Sequence, residues 1–210
     1  DVHILRKTMQ AKRPHLPHIV FGHSMGSFIA RDYVARFGQG LRAAIFCGTS
    51  GGNPGTGIGK LLASIANPLE ANPRIYKLAF GAYNHRFKDI SDSDYAWISS
   101  DEEQIRLYEQ DDLCGFRFTA RGYFDLFDGL SRVSRRGWAK RLPNIPMLLI
   151  AGTDDPVGDY GHGVKKVYQR MQRAHKRVQL QLYEGMRHEI LNERDRQRVY
   201  DDILRWLDSV

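Results

Sequence analysis

His18-Ile19-Val20-Phe21-Gly22-His23-Ser24-Met25-Gly26 is the stretch on which the reading of the fold turns. Its first four residues form a short apolar run behind Pro14 and Pro17, stopping at Gly22, and read as a strand. Beyond it Phe28, Ile29, Tyr33, Val34 and Phe37 recur at helical spacing until Gly38 and Gly40 supply a stop. A serine therefore sits between a strand and a helix in the pattern G-x-S-x-G, which lifts a hydroxyl onto a sharp, strained turn. Gly22 and Gly26 are expected to be glycines because side chains there would strike the neighbouring strand and helix. The helix start should aim its dipole and the backbone N–H of Met25 at the serine, ready to stabilise an oxyanion.

Outward from this turn, Arg42-Ala43-Ala44-Ile45-Phe46-Cys47 reads as a second buried strand, one helix away from the first. That is the strand-helix-strand unit of a parallel sheet, with a right-handed crossover. Two later strands are expected at Pro146–Ala151 and Val178–Tyr183, with a helix from about 164 to 174 between them. A last amphipathic helix carries Val199, Ile203, Trp206 and Leu207.

Residues 51–141 offer no strand, only a glycine-rich loop and helical patterns dense in aromatics such as Phe80, Tyr83, Trp97, Tyr123 and Phe127. They read as a helical cap inserted into a core made of residues 1–50 and 142–210. Most of its aromatics are expected simply to pack its interior. Ser100 with Glu103 reads as a capping box opening one cap helix, and Gly115 as the residue after its end.

The 31 Lys and Arg against 24 Asp and Glu leave a net charge of +7. These charges are scattered as on solvated helix faces, so nucleic acid is not the expected partner; attraction to an anionic lipid interface is a milder use. No run approaches the roughly 18 apolar residues of a membrane span, and Asp1 to Lys7 lack a signal peptide's apolar region. Cys47 and Cys114 are too few for a disulfide framework and read as buried small hydrophobes. The expectation is a cytoplasmic protein, peripheral to a membrane at most.

A serine hydroxyl needs an adjacent base to become a nucleophile. Of eight histidines, His188 follows the last strand through Glu184-Gly185-Met186-Arg187, where a parallel sheet would present it at the same edge as Ser24. His15 and His18 fall at the opposite end, His85 and His175 in polar helical context, and His23 beside the serine reads as shaping the site. His188-Glu189-Ile190-Leu191-Asn192 begins like H-E-x-x-H, but Asn192 replaces the second histidine, so no metal is expected. For the carboxylate that holds the base in one tautomer, Gly152-Thr153-Asp154-Asp155-Pro156 offers two candidates. Asp155 is preferred, being far enough into the loop to turn back toward His188; Asp154 stays open, since loop carboxylates often bond their own backbone. The glycine-rich run Gly48 to Lys60 fails as a phosphate loop, because Pro54 takes the first glycine position and Leu61 replaces the hydroxyl residue.

Together, Gly22-His23-Ser24-Met25-Gly26-Ser27, Gly152-Thr153-Asp154-Asp155-Pro156-Val157-Gly158 and Gly185-Met186-Arg187-His188-Glu189-Ile190-Leu191-Asn192-Glu193 resemble the monoacylglycerol lipase and lysophospholipase branch of the α/β-hydrolases, also described as serine aminopeptidase-like. The cap stretches Trp97 to Glu103 and Asp111 to Phe116 look like caps of bacterial members. The resemblance implies the α/β-hydrolase fold and cofactor-free hydrolysis of single-chain acyl esters through an acyl-enzyme: Ser24 attacks, His188 moves the proton and Asp155 steadies the imidazolium. It also implies strands and a histidine-glycine oxyanion loop ahead of the nucleophile strand, and here only 23 residues precede Ser24. A truncated product with a diminished oxyanion hole, and with the nucleophile strand left as an open sheet edge prone to association, is the corresponding expectation. A peptidase on the same triad and an inactive binding module are the alternatives.

Overall fold

The computed structural model describes residues 1–210 and carries an all-parallel four-stranded sheet. Helix α1 (Val2–Lys12) leads into β1 (Ile19–His23), α2 (Met25–Phe37) and β2 (Ala43–Cys47). Four helices follow with no strand between them: α3 (Thr56–Ile65), α4 (Pro73–Phe80), α5 (Glu102–Gln110) and α6 (Ala120–Ser134). The chain then returns through β3 (Met147–Gly152), α7 (His162–Arg173), β4 (Val178–Tyr183) and α8 (Arg196–Asp208). The strands lie side by side in chain order, Ile19 opposite Ala43, Ala44 opposite Met147 and Met147 opposite Val178. All four therefore end at the same edge, where Ser24, Gly48, Thr153 and the His188 loop emerge.

The two-residue period of the strands divides the core. Ala44, Phe46, Met147 and Leu149 face α2 and α7 through Val34, Val167 and Met171. Ala43, Ile45, Leu148 and Ile150 face Val199 and Trp206 of α8. Every residue of β2 and β3 is buried. As expected of a nucleophile strand without neighbours on one side, β1 is an edge strand paired only with β2, and its Ile19 and Phe21 are exposed.

Helix α1 was not legible in the sequence. It buries no residue and is held by Arg6, whose guanidinium donates to the carbonyls of Phe37 and Gln39, and by His3 stacked on Phe37. Two cap expectations also fail. The N-cap of α5 is Asp101, accepting from the Glu103 N–H, while the Ser100 hydroxyl turns away to Glu193. Helix α5 ends at Gln110, and Gly115, with φ +67°, belongs to the turn beyond.

One buried cation ties the helical insertion to the core. Arg31 of α2 donates to the Thr49 hydroxyl at 3.1 Å, the Ser50 carbonyl at 2.8 Å and the Val133 carbonyl at 2.7 Å, while its guanidinium lies 4.4 Å from the Trp138 ring centroid. It thus joins the segments that enter and leave the insertion. Burial, with Arg170 nearby, lowers its pKa to about 9.

Candidate active site

Ser24 occupies the turn between β1 and α2 with φ 53° and ψ −122°, a strained conformation for a residue bearing a side chain. Its backbone is fixed on both sides: the N–H donates to the Cys47 carbonyl at 3.0 Å, and its carbonyl accepts from the Ser27 hydroxyl at 2.6 Å. The turn is possible because Gly22 has no Cβ; one added there would sit 2.3 Å from the Gly26 carbonyl oxygen and 2.7 Å from Ala30 Cβ. The matching expectation for Gly26 is wrong, since a Cβ at that position meets nothing within 4 Å. Met25 opens α2, so its N–H lacks an intrahelical partner, as at any helix start.

The loops after β3 and β4 are brought together by another close approach. A Cβ at Gly152 would lie 1.9 Å from the Met186 carbonyl oxygen, and the Asp154 N–H donates to that same carbonyl at 3.0 Å. This seats Asp155 against His188. Asp155 is fully buried, His188 almost so, and Nδ1 of the imidazole lies 3.0 Å from Oδ1 of the carboxylate. The same Oδ1 accepts from the Val157 N–H at 2.9 Å. A carboxylate only accepts, so Nδ1 carries the hydrogen, and in the neutral imidazole Nε2 keeps its lone pair. Nε2 is buried and makes no hydrogen bond. No hydrogen bond joins it to Ser24 Oγ, a looseness common before substrate is bound. Of the two candidate acids, Asp155 is the one paired with His188; Asp154 is partly exposed.

His23 packs beside the pair, its ring centroid 4.8 Å from that of His188 and its Nε2 3.3 Å from the His188 carbonyl oxygen. That carbonyl requires a donor, so Nε2 of His23 bears hydrogen. Burial first, and then the neighbouring His188, lower the His23 pKa. In the His188 loop the Asn192 amide donates to Glu189 Oε2. Cys47 is buried and Cys114 only partly; both are free thiols.

Above Ser24 lies a cavity of about 540 Å³, mostly apolar, walled by the helical insertion and the Asp155 loop. Of the aromatics in residues 80–127, Phe87 and Phe124 stay outside it, whereas Phe80, Tyr83, Trp97 and Tyr123 are among those that line it. The expectation that most of these rings merely pack is therefore corrected: many serve the cavity wall. Trp97 also rests against His188, with ring centroids 5.2 Å apart, and burial pushes the Tyr83 phenol pKa up, with the negative Asp155 adding to it. Sequence reasoning gave no role to Arg187 and Glu193, though both stand inside a quoted motif. Their burial depends on residues ninety positions away.

A family model described as serine aminopeptidase, S33, matches residues 1–195. The chain is 29% identical over 199 residues to the monoacylglycerol lipase of Mycolicibacterium smegmatis, covering 93% of this chain and 64% of the lipase, so it spans less than two thirds of that relative's length. A thermostable carboxyl esterase from Bacillus coagulans, solved in complex with glycerol, superposes with a TM-score of 0.93 at 34% identity over all of this chain and 70% of that one. A soluble variant of the Saccharomyces cerevisiae monoglyceride lipase shares the fold, with a TM-score of 0.74 at 20% identity, over 99% of this chain and 67% of the other. The chain belongs to the serine aminopeptidase S33 family of α/β-hydrolases.

Proposed function

We propose that this protein is a serine hydrolase that cleaves carboxylic esters of a single acyl chain, such as a monoacylglycerol or lysophospholipid. The observation that carries the reading is the buried Asp155–His188 pair, which occupies Nδ1 and leaves Nε2 without a hydrogen-bond partner at the strand edge that also bears the strained Ser24. In this account His188 removes the proton as Ser24 Oγ attacks the ester carbonyl, and the Met25 N–H steadies the oxyanion. The alcohol leaves with the proton held by His188, and water then releases the fatty acid along the same path. No step calls for a cofactor.

Residues 51–141 act as the cap that receives the acyl chain. A cavity of about 540 Å³ lies in the size range of small-molecule sites, and its aromatic wall suits an alkyl chain. The relatives named as monoacylglycerol lipase and carboxyl esterase support an ester over an amide substrate. The decisive assay compares p-nitrophenyl acyl esters with aminoacyl anilides. Turnover of the esters alone supports the reading, and turnover of the anilides alone makes the protein an amide hydrolase.

The cap also offers a surface for peripheral contact with lipid. Ile58, Leu61, Leu62 and Ile65 of α3 are exposed, as is Leu69 just beyond it, and the chain carries a net charge of +7. No helix is long and apolar enough to cross a membrane. A shallow apolar face on a basic protein fits adsorption to an anionic bilayer, from which a single-chain ester would reach the cavity.

A further inference from the structure

The segment Ala96–Ser100 is a strap that joins the cavity wall to the histidine loop, and a buried pair of opposite charges holds it there. Glu193 is almost fully buried, and its carboxylate accepts from the Ser99 hydroxyl at 3.2 Å, the Ser100 N–H at 3.0 Å, the Ser100 hydroxyl at 2.5 Å and the Arg187 N–H at 2.8 Å. Arg187 completes the reverse arrangement. Its guanidinium donates to the carbonyls of Ala96 and Ser99 and lies 4.2 Å from the Phe87 ring centroid. The carboxylate thus takes the donors of the strap and the guanidinium its acceptors, although no ion pair joins the two charges directly.

The backbone continues the bond. The Glu189 N–H donates to the Ile98 carbonyl at 2.8 Å and the His188 N–H to the Trp97 carbonyl at 3.4 Å. His188 is therefore sandwiched: Asp155 holds its Nδ1, Trp97 packs on its ring, and Glu193 fixes the loop from which it projects. A surface ion pair would contribute little, but a buried charge stripped of its partners costs heavily, so this clasp has a defined geometry or none.

We propose that Glu193 is a positioning residue for the hydrolytic reaction. It acts through Ser99, Ser100 and Arg187 to keep His188 and the Trp97 wall of the cavity in one rigid arrangement, so that the base is placed only when the cap is seated. This inference rests on the proposed hydrolase reading. Its test compares the full chain, Glu193→Gln and Val199→Ala, the last a cavity-forming change in the opposite core layer that lowers stability without touching the strap. In Glu193→Gln one acceptor oxygen becomes an amide facing donors, so the clasp opens while the volume is kept.

The rate at which a fluorophosphonate labels each protein is measured at a temperature where all three are folded, with kcat and KM for a p-nitrophenyl ester. The expected result is a loss of about tenfold or more in labelling rate and kcat for Glu193→Gln, from a misplaced base, and a near-normal rate for Val199→Ala. Equal rates in Glu193→Gln and the wild type, or an equal loss in both variants, would overturn the proposal. If the wild type is neither labelled nor active, the hydrolase reading fails, and the clasp is read from hydrogen exchange at the Ser100 and Glu189 amides. Faster exchange in Glu193→Gln alone then supports a clasp, and unchanged exchange refutes it.

Discussion

His188 Nδ1 and Asp155 Oδ1 stand 3.0 Å apart, the carboxylate fully and the imidazole almost fully buried, and they come from loops that follow different strands. The pair is expected to separate the roles of two adjacent carboxylates. Asp155→Asn can present a donor to Nδ1 and so favour the wrong tautomer, and it should lower kcat by about 10⁴-fold. Asp154→Asn should stay within a few-fold of the wild type. Steady-state kinetics on both variants check this, and the reverse pattern would return the acid role to Asp154.

The two glycines flanking the serine should behave differently. Gly22→Ala forces a Cβ against backbone and should cost about 1–3 kcal/mol of stability or abolish folding. Gly26→Ala adds a methyl to an open position on a helix and should be neutral or stabilising by about 0.5–1 kcal/mol. Urea unfolding measures both; equal destabilisation would mean that Gly26 faces an obstacle the structure lacks.

Stability should depend on pH through His23. Its folded pKa is depressed below the ordinary 6.5 by burial and by His188, so below pH 6.5 the unfolded chain binds more protons than the folded one. Stability is then greatest above pH 6.5 and declines as pH falls toward the depressed folded value. Replacing His23 by Gln, which keeps a donor for the His188 carbonyl, should flatten that part of the curve. Denaturant titrations of both proteins from pH 5 to pH 7 test it, and parallel slopes would exclude His23 as the source.

The cavity should be adjustable from α3. A Cβ at Gly59 would come within 2.7 Å of the Phe127 ring, which lines the cavity. Gly59→Val should push that ring inward and lower kcat/KM for long acyl esters by about tenfold relative to acetate. A uniform change across chain lengths would argue that the acyl chain runs elsewhere. For the outer face of the same helix, Leu61→Glu should weaken adsorption to anionic vesicles in a sedimentation assay; undiminished binding would remove α3 from the lipid contact.

What the sequence disclosed follows from locality. The strand before Ser24, the helix after it and the buried β2 and β3 declare themselves by short-range periodicity, and Asp155 and His188 could be sought at strand ends once a parallel sheet was inferred. Helix α1 escaped because it has no core to face: its apolar Val2, Ile4, Leu5 and Met9 are all exposed, and its ties to α2 run through the polar Arg6 and through His3. Ser100 was misread because its hydroxyl has a partner 93 residues away, Glu193, that outcompetes the local helix end. The edge position of β1 was legible from the absence of strands ahead of it, whereas the open space at Gly26 depends on which elements lie alongside, and the local sequence does not record that.

Mass spectrometry of the protein after fluorophosphonate treatment shows whether Ser24 is the nucleophile. One phosphonyl adduct is expected on the peptide containing Ser24, and none on Ser24→Ala. An adduct on another residue, or equal modification of the Ser24→Ala protein, would contradict that assignment.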